Sequence, residues 1–251
     1  MPKVYFIGAG PGDPELITVK GRRLLDNADV VIYAGSLVNP ELLTGIGAEI
    51  FDSSRMTLEE IIDIIKISIN KNKIVVRLHT GDTSFYSAIS EQIEQLRQLK
   101  IAYEIIPGVS SAMAGAAILG QELTIPEISQ TVIFTRLEGK TPVPESERLS
   151  KLAKHKATMV IFLSVGMIEK VRDELLQGYL EETPVAIVEK ASWTEQRVIR
   201  GGLKDIVELV KGANIKKTAL IYVGEALKAS EESSGKESKL YNKDFRHGYR
   251  K

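Results

Sequence analysis

The sequence predicts an α/β protein of two domains, each with a largely parallel β-sheet. Short apolar runs alternate with amphipathic stretches along the 251 residues, and this alternation is typical of parallel sheets covered by helices. The first apolar run also ends in a glycine-rich turn, residues 8–14. Such a turn between a strand and a helix is how α/β domains bring backbone atoms close to a small ligand.

In the first half, the apolar runs predict strands at 3–8, 29–34, 48–51, 73–78 and 101–106. Helices are predicted between and after them, at 14–27, 57–71, 84–100 and 112–119. Thr57 is followed three residues later by Glu60, which fits a capping box at the start of its helix. These elements make up a predicted first domain, residues 1–119.

A stretch of turn-forming residues, 120–127, predicts a linker to a second domain at 128–228. Strands are predicted there at 130–136, 157–163, 184–189, 195–201 and 218–224, with helices at 145–154, 166–178 and 203–212. Residues 229–251 are polar and predict a flexible tail, which Tyr241, Phe245 and Tyr249 could re-anchor.

Composition excludes several functional classes. Lys+Arg and Asp+Glu both number 33, so net charge gives no general attraction to nucleic acid or to a membrane. The absence of cysteine excludes disulfides, thiolate metal sites and a cysteine nucleophile, and three widely spaced histidines argue against a zinc site. With neither a signal-peptide pattern nor a long apolar run, we expect a soluble, cytoplasmic protein without a bound metal.

The glycine-rich turn differs from the common nucleotide-binding turns. Asp13 and Pro14 stand where a dinucleotide site has its third glycine, and the next strand ends in Ala34-Gly35 instead of an acid for the ribose. Asp13 would also repel a pyrophosphate, and no P-loop motif occurs. The turn therefore predicts a ligand without phosphate.

Two further loops of the first half follow predicted strands, where ligands of parallel sheets bind. Residues 77–86 place Gly81 and Asp82 before Phe85 and Tyr86, which could form an aromatic wall for a flat ligand. Residues 106–112 place two serines, Ser110 and Ser111, at the start of a helix. The aspartate and the serines also suit helix capping, and the sequence leaves that structural role open.

The second half offers weaker candidates at strand ends, in 162–164, 190–193 and 217–219. Trp193, the only tryptophan, is of a type found more often in the core than at a ligand, and His79 is more often packed than catalytic. The sequence shows no catalytic triad, nucleophile elbow or carboxylate pair, which favours chemistry that depends on positioning reactants.

Together the loops resemble the tetrapyrrole methylase family, which uses S-adenosylmethionine. The resemblance rests on Gly8–Pro14, Gly81–Tyr86 and Pro107–Ala112, in the family's order; Thr83 departs from it, since relatives usually have proline there. Further stretches resemble the subgroup that methylates carbon 11 of precorrin-4 or cobalt-precorrin-4 in cobalamin biosynthesis. They are 33–38, 123–126, 135–144 and 190–193.

The resemblance implies a homodimer with an active-site cleft between the two domains, a tetrapyrrole substrate, and S-adenosylhomocysteine as the demethylated product. The implied donor contacts are Pro11, Gly81, Asp82, Phe85, Ser110, Ser111, Leu163, Ala191, Thr218 and Ala219. Basic residues in or near the loops could pair with substrate carboxylates: Arg55, Arg77, Arg136, Lys140, Lys190 and Arg197. Asp82 and Ser36 are candidates for assisting proton removal.

Four alternatives remain open. Uroporphyrinogen-III C-methyltransferase and diphthine synthase would keep the glycine-rich loops, although residues 33–38 and 135–144 favour the precorrin-4 subgroup. An rRNA ribose methyltransferase is disfavoured by zero net charge. A non-catalytic tetrapyrrole- or nucleoside-binding module is disfavoured because both halves keep their candidate loops.

Overall fold

The computed structural model describes residues 2–228 and Arg246. Apart from Arg246, the predicted tail, with Tyr241, Phe245 and Tyr249, lies outside the described residues. Packing divides the chain into two compact units. Unit 1 runs to Ala114 and includes Ser192–Thr194 from the second half, and unit 2 holds Gly115–Ala191 and the described residues from Glu195 to residue 228. The boundary after Ala114 lies before the predicted domain end at residue 119.

The sheet of unit 1 has five strands, all parallel, as the sequence predicts. They are β1 (Val4–Gly8), β2 (Val30–Tyr33), β3 (Glu49–Asp52), β4 (Val75–His79) and β5 (Tyr103–Ile106). The order across the sheet is β3-β2-β4-β1-β5. Because every strand runs the same way, the loops after all five strands leave from one edge.

The helices of the first half are α1 (Val19–Asp26), α2 (Leu58–Asn70), α3 (Ile89–Gln98) and α4 (Ser111–Ile118). The capping box predicted for α2 is present, since Thr57 and Glu60 each accept the other's backbone N–H. The predicted start of α3 at residue 84 is wrong. Tyr86 and Ala88 have left-handed backbones, φ 53° and 49°, which delay the helix to Ile89.

The core of unit 1 lies on both faces of its sheet. On one face Ile7, Leu25 and Val76 are buried together, and on the other Phe6 and Leu96 are buried. Phe6 and Ile7, which are neighbours in β1, thus lie on opposite faces of the sheet, as the two-residue period of a strand requires. Burial on both faces explains why these strands are nearly continuous apolar runs.

The sheet of unit 2 is mixed, which corrects the expectation of a largely parallel second sheet. Its strands are β6 (Val132–Arg136), β7 (Thr158–Phe162), β8 (Pro184–Glu189), β9 (Arg197–Gly202) and β10 (Ala219–Val223), in the order β6-β7-β10-β8-β9. β6 and β7 pair in parallel, and the other three pairs are antiparallel. Residues 190–196 between β8 and β9 are too few for the crossover that a parallel pair needs.

Three helices pack on this sheet: α5 (Leu149–Ala153), α6 (Ile168–Leu175) and α7 (Ile206–Gly212). Val171, Val210 and Ile187 are among the buried residues of the resulting core. Since β7 and β8 both run antiparallel to β10, their C-terminal ends lie at the same sheet edge as the start of β10. Within residues 2–228, no helix has the length and apolar character that a membrane crossing requires.

Candidate functional site

Three glycine-containing loops meet at the C-terminal edge of the unit 1 sheet. The Gly10 and Gly81 backbones pair, with the Gly10 N–H donating to the Gly81 carbonyl at 3.2 Å and the reverse bond at 2.8 Å. A Cβ atom on Gly8 would lie only 2.6 Å from the Gly81 carbonyl oxygen and 2.7 Å from the Gly108 Cα. The loops after β1, β4 and β5 can approach this closely because no side chain stands between them.

Asp82 links the second of these loops to the third. One carboxylate oxygen accepts the Ser84 N–H and the other accepts the Gly108 N–H, each at 2.8 Å. Burial raises the pKa of Asp82, but the N–H groups of Gly108 and Ser84 outweigh it and hold that pKa below its ordinary value. Asp82 is therefore an ionised group with both oxygens engaged, which suits it to holding the loops more than to accepting a proton.

The serines of the third loop start α4. Ser110 is buried, its hydroxyl accepts the Ala112 N–H at 3.3 Å, and its carbonyl accepts the Met113 N–H at 3.0 Å. Ser110 thus fills the capping role that the sequence left open, and Ser111 is the first residue of α4. Phe85 remains 37% exposed, so much of its ring faces solvent.

The first loop is held by side chains that sequence reasoning did not assign to it. The Pro11 carbonyl accepts the indole N–H of Trp193 at 2.9 Å, and the Asp13 N–H donates to the Ser192 hydroxyl at 2.9 Å. The Gly12 carbonyl accepts an amide N–H from Asn39 at 2.9 Å. Nothing in the local pattern could have paired residues so far apart in the sequence.

Two residues at the end of β4 face the interior of unit 1. The Arg77 guanidinium donates to the Gln92 side-chain oxygen at 3.0 Å and to the Ile32 carbonyl at 3.1 Å, and burial lowers its pKa to about 10. The His79 ring stacks near Phe6 and is 4% exposed. Burial, with the Arg77 charge, lowers the pKa of His79 to about 3. Because its guanidinium is satisfied inside unit 1, Arg77 is not placed to pair with a substrate carboxylate.

The unit 2 candidates share one edge of their sheet. Ala219 pairs with Glu189 of β8, and the β10–β7 register, extended past Ile221 and Ile161, brings Ala219 beside the position of Leu163. Leu163 has φ 54° and is 71% exposed, and Thr218 has φ 56°. A leucine or a β-branched threonine is strained in this backbone region, and such strain clusters at functional sites.

The remaining basic candidates differ in their contacts. Arg136 donates to the carbonyls of Thr141 and Pro142 at 3.2 and 2.8 Å, which folds its own loop. Arg197 contacts Glu189 at 2.6 Å, and Lys190 forms an ion pair with Glu195 at 3.3 Å. Arg55 and Lys140 are exposed.

Ser36 belongs to a short 3₁₀ helix, Gly35–Leu37, directly after β2.

Comparison with known proteins identifies the family. The family model described as tetrapyrrole (corrin/porphyrin) methylases matches residues 3–207. The chain belongs to the tetrapyrrole methylase family. This confirms the resemblance that the three glycine-containing loops indicate.

Individual tetrapyrrole methylases match over nearly the whole chain. The cobalt-precorrin-4 C(11)-methyltransferase of Methanocaldococcus jannaschii is 58% identical, over 99% of this chain and 96% of that protein. The X-ray structure of CbiF, a cobalt precorrin-4 methyltransferase of cobalamin biosynthesis, superposes with a TM-score of 0.88 at 48% identity, covering 90% of this chain and 95% of that one. Uroporphyrin-III C-methyltransferase from Thermus thermophilus, complexed with S-adenosylhomocysteine, gives 0.77 at 29% identity, covering 90% and 99%.

Proposed function

We propose that this protein transfers the methyl group of S-adenosylmethionine to carbon 11 of precorrin-4 or cobalt-precorrin-4, in cobalamin biosynthesis. The observation that carries the proposal is its similarity, over nearly the full length of both chains, to an enzyme named for this reaction. The lower identity to a uroporphyrin-III methyltransferase favours the precorrin-4 reaction over that alternative.

The geometry of the unit 1 loops supports a donor without phosphate. Their edge presents glycine backbone that lets a ligand approach closely, beside the ionised carboxylate of Asp82. S-adenosylmethionine carries a sulfonium cation and no phosphate, so the acidic residues of these loops do not oppose its binding. We assign donor contacts to Pro11, Gly81, Asp82, Phe85, Ser110 and Ser111. Leu163, Ala191, Thr218 and Ala219 are proposed as further donor contacts.

The reaction requires little chemistry from side chains. The methyl–sulfur bond breaks as the new carbon–carbon bond forms, and the electron pair of the broken bond stays on sulfur, leaving the neutral thioether S-adenosylhomocysteine. The conjugated nitrogens of the macrocycle supply the nucleophilic electrons. Holding the two reactants in line contributes about 7–11 kcal/mol in favourable cases. Loops with a rigid backbone are well suited to hold reactants in this way.

Proton removal and substrate binding are assigned to separate residues. Because both Asp82 oxygens already accept N–H groups and its pKa is lowered, we assign Asp82 to holding the loops, and Ser36 remains the candidate for assisting proton removal. The macrocycle carboxylates are proposed to pair with exposed or partly exposed cations. These are Arg55, Arg136, Lys140 and Lys190.

The proposal includes a cytoplasmic homodimer that binds neither nucleic acid nor membrane. Light scattering at micromolar concentration tests the dimer, and a monomer there would contradict it. Cell fractionation tests the location.

The reaction is tested with four substrates side by side: precorrin-4, cobalt-precorrin-4, uroporphyrinogen III and the diphthamide precursor on elongation factor 2. We expect mass spectrometry to show one added methyl on a precorrin-4 form and none on the other two. Calorimetry with S-adenosylhomocysteine separates a methyltransferase from a tetrapyrrole-binding module. Turnover of uroporphyrinogen III alone would overturn the proposal.

A further inference from the structure

A short segment of the second half, Ser192–Thr194, contacts the loop after β1. This segment packs as part of unit 1, although the residues on either side of it belong to unit 2. The Trp193 indole N–H donates to the Pro11 carbonyl at 2.9 Å, and the Ser192 hydroxyl accepts the Asp13 N–H at 2.9 Å. The two hydrogen bonds flank Gly12 on either side. They fix the backbone of residues 11–13, which include the proposed donor contact Pro11.

The indole also fits against Gly12 itself. A Cβ atom at residue 12 would overlap the Trp193 ring, although the φ angle of Gly12 is not one that L side chains avoid. Gly12 is thus required by the tryptophan above it and not by the turn. The Gly12 carbonyl also accepts an N–H from Asn39, so three side chains form hydrogen bonds with the backbone of residues 11–13.

The segment that carries Trp193 is itself held in place. Ser192 has φ 66°, a conformation that costs a non-glycine residue energy and that persists only where surrounding contacts impose it. At the base of the same segment, the Lys190 N–H donates to the Thr218 carbonyl at 2.8 Å, and the Lys190 side chain pairs with Glu195. A partly exposed tryptophan on such a constrained segment is not explained by core packing.

We propose that Trp193 and Ser192 are positioning residues for donor binding, acting through the backbone of Pro11, Gly12 and Asp13. The inference rests on the proposed function, because it takes the loop after β1 as a donor contact. Neither residue touches the donor in this account. Each keeps a backbone group of the loop in the orientation that the bound donor requires, so its loss lowers donor affinity and leaves tetrapyrrole affinity unchanged.

The test compares Trp193→Phe and Ser192→Ala with the wild-type protein. Trp193→Phe keeps an aromatic ring near Gly12 but leaves the buried Pro11 carbonyl without its donor, and Ser192→Ala removes the acceptor of the Asp13 N–H. We expect the Kd for S-adenosylhomocysteine, measured by calorimetry, to rise about five- to tenfold in each variant. The KM for the methyl donor should rise by a similar factor, with the KM for the tetrapyrrole unchanged.

Tyr179→Phe is the matched control. It also removes one aromatic hydrogen-bond donor from a backbone carbonyl, that of Ala157, but within the core of unit 2. It should lower the melting temperature and leave the Kd for S-adenosylhomocysteine as in the wild type. Equal effects of Tyr179→Phe and Trp193→Phe on that Kd would show a general loss of stability and overturn the proposal.

Trp193 also supplies a direct signal, because it is the only tryptophan in the chain. We expect S-adenosylhomocysteine to change its fluorescence with the Kd that calorimetry gives, in the wild type and in Tyr179→Phe. If the wild type binds S-adenosylhomocysteine and both Trp193→Phe and Ser192→Ala bind it equally well, the positioning role is wrong while the proposed function stands. If the wild-type protein fails to bind S-adenosylhomocysteine, the proposed function fails and this inference fails with it.

Discussion

The two units obtain tight strand-end loops in opposite ways. Where the three loops of unit 1 meet, the left-handed or crowded positions are glycines, such as Gly10, Gly81 and Gly108, which adopt them without steric cost. In unit 2 the left-handed positions after β7 and before β10 carry Leu163 and Thr218. The first arrangement is built for close backbone approach. The second keeps side chains where the backbone disfavours them, which agrees with the donor contacts proposed for Leu163 and Thr218.

The comparison predicts that adding a methyl group to a unit 1 glycine has the largest effect on stability. In Gly108→Ala the new Cβ would overlap the Gly81 carbonyl and crowd the Gly8 Cα, both of which are backbone atoms that cannot rotate away. We expect the free energy of unfolding, from urea denaturation, to fall by about 3 kcal/mol.

Gly47→Ala is the control for Gly108→Ala, since a Cβ at Gly47 meets no atom within 4 Å. It should change the unfolding free energy by less than about 0.5 kcal/mol. Equal effects of the two substitutions would show that the contacts among Gly8, Gly81 and Gly108 are looser than their geometry indicates.

Acid should weaken unit 1 through His79, buried at the end of β4. The folded-state pKa of about 3 lies below the ordinary 6.5, so below pH 6.5 the unfolded chain binds a proton that the folded protein does not. The contribution of neutral His79 to the unfolding free energy is therefore fully present above pH 6.5 and is lost as the pH falls towards 3. At pH 5 this loss is about 2 kcal/mol.

His79→Leu removes the titrating group and should flatten the dependence of unfolding free energy on pH between 6.5 and 4. The exposed His155 supplies the control: His155→Gln should keep the acid-dependent loss because His79 is still present. An unchanged pH slope in His79→Leu would assign the acid sensitivity to carboxylates.

Asp82 tests whether the unit 1 loops act as one structure. Asp82→Asn keeps the shape of the side chain, but an amide nitrogen cannot accept an N–H, so the bond to either Ser84 or Gly108 is lost. We expect the Kd for S-adenosylhomocysteine to rise about tenfold, since a hydrogen bond to a charged group contributes about 1.5–3 kcal/mol. Calorimetry measures this change.

Asp52→Asn is matched to Asp82→Asn, because Asp52 accepts the N–H of Ser54 two residues on in the same way, at 2.8 Å. Asp52 is the last residue of β3 and has no bond to Gly108, so its substitution should leave donor affinity unchanged. A tenfold loss in both variants would mean that the charge of a local turn matters and the link between loops does not.

The sequence predicted unit 1 better than unit 2, for physical reasons. Its central strands, β1, β2 and β4, are buried on both faces and read as apolar runs, and its loops are marked by glycines. In unit 2, apolar runs also located the strands, but the direction of pairing depends on connections such as residues 190–196, and periodicity does not report direction.

The contacts of some site residues could not be predicted from the sequence, for a related reason. Arg77 was expected to face a substrate from a loop, yet it lies within β4, where both faces of the strand are buried and Gln92 and the Ile32 carbonyl satisfy its guanidinium. Trp193 lies in a candidate stretch, 190–193, but nothing local pairs it with Pro11, which lies in the first loop of the chain. Contacts between distant segments are settled by packing, which a single sequence does not show.

The smallest expected effect tests the strained half of the comparison. Leu163→Gly removes the steric cost of a left-handed leucine, about 1–2 kcal/mol. Glycine loses about 0.5–1 kcal/mol more backbone entropy on folding, and Leu163 is 71% exposed and loses little packing, so the unfolding free energy should rise by about 0.5–1 kcal/mol. If Leu163 contacts the donor, as proposed, the Kd for S-adenosylhomocysteine should rise in the same variant. Opposite changes in stability and affinity indicate strain that is kept for binding.

Lys156→Gly separates strain from function in that test. Lys156 also has a left-handed backbone, φ 52°, and it is exposed in the turn before β7, away from the Leu163 end of the strand. It should gain stability to a similar degree and bind S-adenosylhomocysteine as the wild type does. If Leu163→Gly behaves in the same way, its strain is only a property of the turn, and the contrast drawn between the glycine loops of unit 1 and the strained loops of unit 2 loses its functional meaning.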